Sequence, residues 1–572
     1  MTDAPPLADA ACVNIASTLA EAARRTPYRP AVVAVDGRAP GGRLRYVHLT
    51  FGALAESSDR LAWGLKEIGV ERGMRTILLV RPGLEFFELL FALFKVGAVP
   101  VIVDPGMGLQ RMLACYRSTR PQAMIGIPRA HAFRILFRKH FREIRIRVTV
   151  GRRWFWGGQT LRSLSRAGRG PFPAAATAAD EPAAILFTTG STGPVKGAVY
   201  THGGFAAQLR AVGRELAFGP EEKDLSTFPL FALFYPALGV TAVIPPIDPT
   251  RPAKADPALL VEVMENQGVT NLFASPVLLE RLSRFCSDRG LGLAFLKRVI
   301  SAGAPVPPAA VAGVRPLLAP SAEVLTPYGA TEAVPVAVIR DAEILHETRA
   351  LTERGYGICV GTPVEGIELR VLRIRDEPIP RWDEALVLPP GEIGEIVVRG
   401  AHVSPGYFEN PQADALHKIA DGEGGYWHRM GDVGWIDRKG RLWFCGRKSH
   451  RVVTSTGTLF TVPCEGIFNT HPLVRRSALV GVGPSGHQVP VLCVELHKTT
   501  RRVRRKIVRE ELLDLARRHE MTRPIRTVLF HRAFPVDIRH NAKIQREDLA
   551  AWAARRLKMK SARRRGRKAT LP

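Results

Sequence analysis

The sequence predicts an α/β protein, with a large N-terminal domain of α/β sheet subdomains plus a β-rich subdomain, and a small, mobile α+β C-terminal domain. Three observations lead there. Before Gly355, short aliphatic runs alternate with segments of helical spacing, the pattern of parallel strands joined by crossover helices. Beyond Gly355 the texture turns to strand-rich stretches punctuated by glycine and proline. After Gly446 a smaller α+β pattern begins. With 572 residues, 46% of them hydrophobic, the chain is long enough for several cores. No internal repeat is visible.

Taken in order, 50–69 has helical spacing behind a threonine suited to cap it, and 76–80 reads as a short buried strand. The most apolar stretch, 86–103, is interrupted by Glu88, Lys95, Gly97 and Pro100, so it predicts an amphipathic helix feeding a buried strand at 99–103 and not a membrane span. Strands are expected at 183–187, 271–273 and 299–301, with helices over 256–269 and 277–285. The β-rich subdomain is expected to contain strands at 367–374 and 394–399. The last domain should hold strands near 478–482 and 491–496 and a helix over 504–518. The expected boundaries are 1–446, 447–553 and a basic, disordered tail over 554–572.

The N-terminus lacks a basic segment followed by an apolar core, and the seven cysteines are scattered without a CxxC pair, which together predict a cytoplasmic protein without a disulfide framework or zinc site. The formal charge of +28 is concentrated in two places: fifteen Lys or Arg against one acid over 105–179, and nine with no acid over 555–568. Within the first, basic residues alternate with apolar ones from Phe133 to Gly158, a pattern suited to peripheral membrane contact or an acidic partner protein more than to nucleic acid. The alternative is a solvated surface in an arginine-rich protein.

The chemistry concentrates in Thr188, Thr189, Gly190, Ser191, Thr192, Gly193 and Lys196. Glycines let backbone amides converge, the hydroxyls add donors and the lysine adds a point charge, a combination that cradles phosphate. The stretch is not a Walker A loop, and taken alone it is also compatible with a flexible connector. Downstream, Tyr328-Gly329-Ala330-Thr331-Glu332 places an aromatic plane, a hydroxyl and a carboxylate together. Gly431-Asp432, Gly446-Arg447 and Lys543 come later in the chain.

With these motifs in this order from about Asn14 to Trp552, the chain resembles the adenylate-forming superfamily of acyl-CoA synthetases, luciferases and peptide-synthetase adenylation domains. The resemblance implies that the loop from Thr188 through Lys196 holds the β- and γ-phosphates of ATP. Tyr328 would lie along adenine, walled on the other side by Gly303-Ala304-Pro305, with Gly329 in the same turn. It further implies that Thr331 bonds the α-phosphate, Glu332 holds Mg²⁺, and Asp432 and Arg447 take the ribose. Lys543 would stabilise charge gathering between carboxylate and α-phosphorus, although Asn541-Ala542 precedes it where Ser-Gly or Gly-Gly is common.

Two departures bear on the fate of the adenylate. His450 occupies the hinge position where thioester-forming relatives carry Asp or Lys, and Ala232 stands where ligases often carry His or a bulky aromatic. With the segments 326–339, 427–437 and 537–553, they are similar to the olefin β-lactone synthetase branch of bacterial long-chain olefin biosynthesis. That branch implies a long-chain 2-alkyl-3-hydroxyalkanoic acid as substrate, an alkyl pocket near Phe231, Ala232, Phe234 and Tyr235, and docking to other enzymes of olefin synthesis in a large assembly. A long-chain fatty acyl-CoA ligase, a fatty acyl-AMP ligase and a non-catalytic scaffold remain as alternatives.

Overall fold

The computed structural model describes residues 13–168, 170–187, 195–219, 221–248, 251, 254–497, 505–536 and 544–568, with the side chains of all of these except 229, 230 and 559–568. Two large sheets dominate. One is a seven-stranded sheet whose parallel body comprises Ile146–Thr149, Ala123–Gly126, Arg75–Leu79, Val99–Val103 and Pro182–Phe187 in that spatial order, closed by antiparallel Ala198–Thr201. The other contains a parallel run, Thr241–Ile244, Lys223–Ser226, Asn271–Ala274, Arg298–Ser301 and Glu323–Ala330, and becomes antiparallel from Ala333–Arg340 onward. Its antiparallel end, with Ile358–Pro363, Ile367–Leu372, Gly394–Gly400, Tyr426–Ile436 and Leu442–Arg447, is the β-rich part expected from the sequence.

Local chemistry explains the boundaries. Thr50 caps the helix Phe51–Glu67, its hydroxyl accepting from the Ala53 amide at 3.1 Å, and Asp256 caps Pro257–Gln267 through the Ala258 amide at 3.0 Å. The helix Leu84–Val96 departs from the amphipathic expectation: it is buried almost all round, Lys95 included. It packs against Phe51–Glu67 on one side and the inner core on the other, and the Lys95 ammonium is neutralised by Asp59 at 2.6 Å and donates to the Ala55 carbonyl at 2.9 Å. No helix among the described residues is long and apolar enough to cross a membrane.

The C-terminal part packs strands Val474–Val482, Val489–Leu496 and Thr527–Phe530 against the helix Arg505–Arg518, with Val508, Leu512 and Ala516 on its buried face. The last helix, Arg546–Lys568, runs past residue 553, where the sequence placed the start of a disordered tail. It is tied down by Arg546, whose guanidinium forks onto both Glu465 carboxylate oxygens at 2.5 and 2.9 Å.

In open parallel sheets, ligands bind outside the carboxyl ends of the strands, where loops diverge. Here those ends deliver the turn after Ser301, the residues after Ser226 and the tip of the Glu323–Ala330 hairpin, and Phe187 ends a strand of the other sheet.

Candidate functional site

Tyr328 occupies the far end of the strand Glu323–Ala330. Parallel pairing of Arg298 with Glu323 and of Ile300 with Leu325 sets the strand that ends at Ser301, two residues before Gly303, beside the strand that carries Tyr328. Gly303 adopts φ +91°, a left-handed conformation that suits glycine, and turns the chain so that Ala304 is half-buried and Pro305 exposed. The expected adenine wall thus follows the strand Arg298–Ser301, which pairs with the strand that carries its aromatic partner.

Thr331 and Glu332 form the two-residue tip of an antiparallel hairpin, because Ala330 pairs with Ala333 across them. Gly329 is required at its place: a Cβ there would fall 2.5 Å from the Ala333 carbonyl oxygen. Three contacts fix this tip. The Tyr200 hydroxyl donates to the Thr331 carbonyl, the Ser404 amide donates to the Glu332 carbonyl at 2.7 Å, and the Tyr407 hydroxyl donates to Glu332 Oε1 at 2.6 Å. Burial first, and the Glu332 carboxylate second, keep the Tyr407 phenol protonated far above neutrality.

Asp432 and Arg447 face each other as register partners on neighbouring strands. Arg447 Nε lies 3.1 Å from Asp432 Oδ1, and the Tyr328 hydroxyl donates to Asp432 Oδ2 at 2.7 Å. One carboxylate therefore organises an aromatic ring from one strand and a guanidinium from another. Burial, and then the Asp432 charge, push the Tyr328 phenol well above its ordinary range, so it remains a donor.

Of the expected phosphate loop, Lys196 is described; Thr188, Thr189, Gly190, Ser191, Thr192 and Gly193 lie outside the described residues, as does Lys543. The Lys196 ammonium sits 2.6 Å from His417 Nε2 and 5.5 Å from the centre of the Tyr407 ring. His417 Nδ1 faces the Arg429 carbonyl at 3.2 Å, which assigns the proton to Nδ1 and leaves Nε2 to accept from the lysine. Burial, then the neighbouring lysine charge, depress the imidazole to about 4, so it is neutral at physiological pH. Next to it, Lys418 donates to the Ser404 carbonyl, and its burial lowers the ammonium to about 7.

The residues expected to line an alkyl pocket come after the strand Lys223–Ser226. Phe231 stacks on Phe273 with ring centres 4.3 Å apart; its ring centre stands 6.1 Å from that of Phe234, which continues to Phe205 at 6.4 Å. Ala232 is wholly buried, and Tyr235 is 1% exposed with its ring 5.5 Å from Phe218. The four side chains thus belong to one hydrophobic cluster, with Phe231 the least buried of them.

His450 lies in the short turn Lys448–His450 directly after Arg447, its Nε2 3.3 Å from Glu547 on the final helix. Behind it, Lys448 reaches the buried Glu395 at 3.0 Å, and Glu395 also pairs with buried Arg429 at 2.6 Å.

Sequence reasoning missed Tyr200, Ser404, Tyr407, His417 and Phe273. Tyr407 and His417 had a faint signal, an aromatic and a histidine around the helix Pro411–His417, but nothing local connects them to Glu332 or Lys196.

The donor set agrees with what Mg²⁺ asks. That ion keeps several waters and takes one or two carboxylates plus phosphate oxygens, and Glu332 offers one carboxylate on a rigid hairpin tip. Among the described residues no cluster of three acidic, His or Cys side chains competes for a metal.

Comparison with known proteins identifies the family. The family model for AMP-binding enzymes matches residues 19–408. An olefin β-lactone synthetase from Stenotrophomonas maltophilia is 49% identical over 561 residues, 96% of this chain and 99% of the relative. One from Xanthomonas campestris is 49% identical over 547 residues, 95% and 97% of the two chains. Among solved structures, an amide bond synthetase from Marinactinospora thermotolerans superposes with a TM-score of 0.76 at 22% identity, covering 94% of this chain and 99% of that one, a likeness of fold. The chain belongs to the AMP-binding enzymes and, within them, to the family of the olefin β-lactone synthetases.

Proposed function

We propose that the protein uses ATP to adenylate a long-chain 2-alkyl-3-hydroxyalkanoic acid and then closes it to a β-lactone. In the first step a carboxylate oxygen bonds to the α-phosphorus and pyrophosphate leaves. In the second, the substrate's own 3-hydroxyl oxygen bonds to the acyl carbon, the bond from that carbon to the phosphate oxygen breaks, AMP departs and the hydroxyl proton passes to solvent or base. Holding both groups on one molecule gives an effective concentration that reaches roughly 10⁵ M in well-oriented cases, so no thiol is needed.

The residues divide the work. Tyr328 and the Gly303 turn hold adenine, while Asp432 and Arg447 hold the ribose, with acceptor and donor already paired at 3.1 Å. Thr331 bonds the α-phosphate, and Lys196 with the preceding loop takes the outer phosphates. Mg²⁺, held by Glu332, supplies charge neutralisation for the phosphate oxygens. Lys543 stabilises the charge that develops during attack. Phe231 and its aromatic neighbours receive alkyl chains.

One observation carries this reading above a thioester-forming alternative: identity of 49% to two olefin β-lactone synthetases across nearly the whole chain. His450 at the joint, where thioester-forming relatives carry Asp or Lys, points the same way. The test is to supply ATP, Mg²⁺ and a racemic 2-alkyl-3-hydroxy acid without coenzyme A and to identify the product by NMR. A β-lactone with stoichiometric AMP is expected. Turnover only with coenzyme A, giving a thioester, overturns the reading.

A further inference from the structure

We propose that the connection between Ile146–Thr149 and Gln159–Thr160, with the helix Pro128–Leu136 beneath it, is a docking surface for an anionic lipid membrane. Its centre is Trp156, which is 5% exposed and anchored on three sides. The indole nitrogen donates to Thr149 Oγ1 at 3.0 Å, the ring stacks on His131 of the helix with centres 5.5 Å apart, and Trp154 and Phe155 pack at 5.3 and 5.6 Å. Those two neighbours face the other way: Trp154 is 56% exposed and Phe155 82%. An anchored ring thus presents two large apolar rings to solvent at a loop tip, an arrangement that costs solubility and is seldom kept without something to cover it.

The surrounding charge says what covers it. Arg152 and Arg153 precede the rings and are exposed, and Arg134 and Arg147 stand close enough to His131 to add to burial in lowering its pKa. Leu136, 74% exposed, ends the helix, and exposed Arg138, Lys139, Arg142 and Arg145 follow it in the connection to Ile146–Thr149. The one acid in this stretch is Glu143, and none of these cations has an ion-pair partner among the described residues. A second copy of this chain, itself at +28, is a poor electrostatic complement. Aromatic rings beside arginines at a convex tip match the interfacial zone of a bilayer, where rings sit at headgroup level and guanidinium groups meet anionic lipid.

Function gains from the contact. An acid with two long alkyl chains resides in bilayers, so an enzyme seated on the surface meets its substrate there. That benefit rests on the β-lactone reading above, whereas the binding itself does not.

The experiment is co-sedimentation of the full-length protein with vesicles of neutral phosphatidylcholine, and of phosphatidylcholine with a third phosphatidylglycerol, at low and high salt. Binding is expected to the anionic vesicles, to weaken with salt, and to fall roughly tenfold or more in Trp154→Ala/Phe155→Ala and in Arg152→Glu/Arg153→Glu, since apolar insertion and charge both contribute. Lactone formation from detergent-dispersed substrate should be unchanged in both variants, which separates the membrane contact from the chemistry. Equal binding by variants and wild type, or no binding of the wild type to anionic vesicles, overturns the proposal. The second result would redirect the patch to an acidic protein or nucleic acid.

Discussion

Lys196 Nζ is held 2.6 Å from His417 Nε2, a contact between residues 221 positions apart that joins the lysine proposed to bind phosphate to the β-rich part of the large domain. The imidazole donates its Nδ1–H to the Arg429 carbonyl, which leaves Nε2 to accept from the lysine. A lysine on a four-carbon stem otherwise samples many rotamers, and this acceptor selects one side of its reach.

The first prediction concerns that contact. His417→Leu should raise the KM for ATP by about tenfold, the loss of one charge-assisted hydrogen bond, with a smaller effect on kcat. His417→Gln, which keeps an acceptor, should recover most of it. Steady-state pyrophosphate release at varied ATP checks both, and equal KM values for the His417→Leu variant and the wild-type enzyme would show that the histidine is only packing.

The same ring titrates. Its folded value of about 4 lies below the ordinary 6.5, so the unfolded chain binds the extra proton first as pH falls. The stability His417 contributes is therefore fully present above about pH 6.5 and is lost as pH drops toward 4. Between pH 7 and 5 the expected loss is about 2 kcal/mol from this group. Urea unfolding at the two pH values should show a shallower pH slope in His417→Gln than in wild type.

At the nucleotide end, Asp432→Asn keeps the shape but removes the charge that pairs with Arg447 and orders the Tyr328 hydroxyl. AMP affinity should fall by roughly tenfold to a hundredfold, because one charge-assisted bond and its dependent neighbour weaken together. Tyr328→Phe, which loses only the hydroxyl, should cost less. Isothermal titration with AMP distinguishes the two.

Lys543→Ala should reduce adenylation by about two or three orders of magnitude, the scale for removing one group aimed at developing charge, while ATP binding survives. Unchanged pyrophosphate release would remove Lys543 from the chemistry.

Arg546→Ala would strand the Glu465 carboxylate, which is 8% exposed and also accepts from the Leu479 amide at 2.8 Å. A cost of about 3 kcal/mol to the C-terminal domain is expected, measurable as an early unfolding transition.

Much of this was legible in the chain and some could not have been. Strand and helix positions came from periodicity and caps: 99–103 is a strand at those limits, and Thr50 caps as its hydroxyl suggested. Tyr328, Asp432 and Arg447 could be singled out because each sits beside a glycine in a motif whose order along the chain resembles that of the adenylate-forming superfamily. Their mutual bonding could not, since the Tyr328 hydroxyl reaches Asp432 from a strand that does not pair with it, 104 positions away in sequence. The burial of Leu84–Val96 escaped because Glu88 and Lys95 look like a polar face until Asp59 is brought against the lysine. His417 ends a short helix of otherwise ordinary composition, and nothing in its neighbours mentions a lysine two hundred residues earlier.

Arg447 is both the ladder partner of Asp432 and the residue just before the Lys448–His450 turn that leads into the C-terminal strands. The Asp432–Arg447 ion pair therefore stands one peptide bond from that turn, so a substitution that displaces Arg447 is felt at once by the chain entering the C-terminal strands.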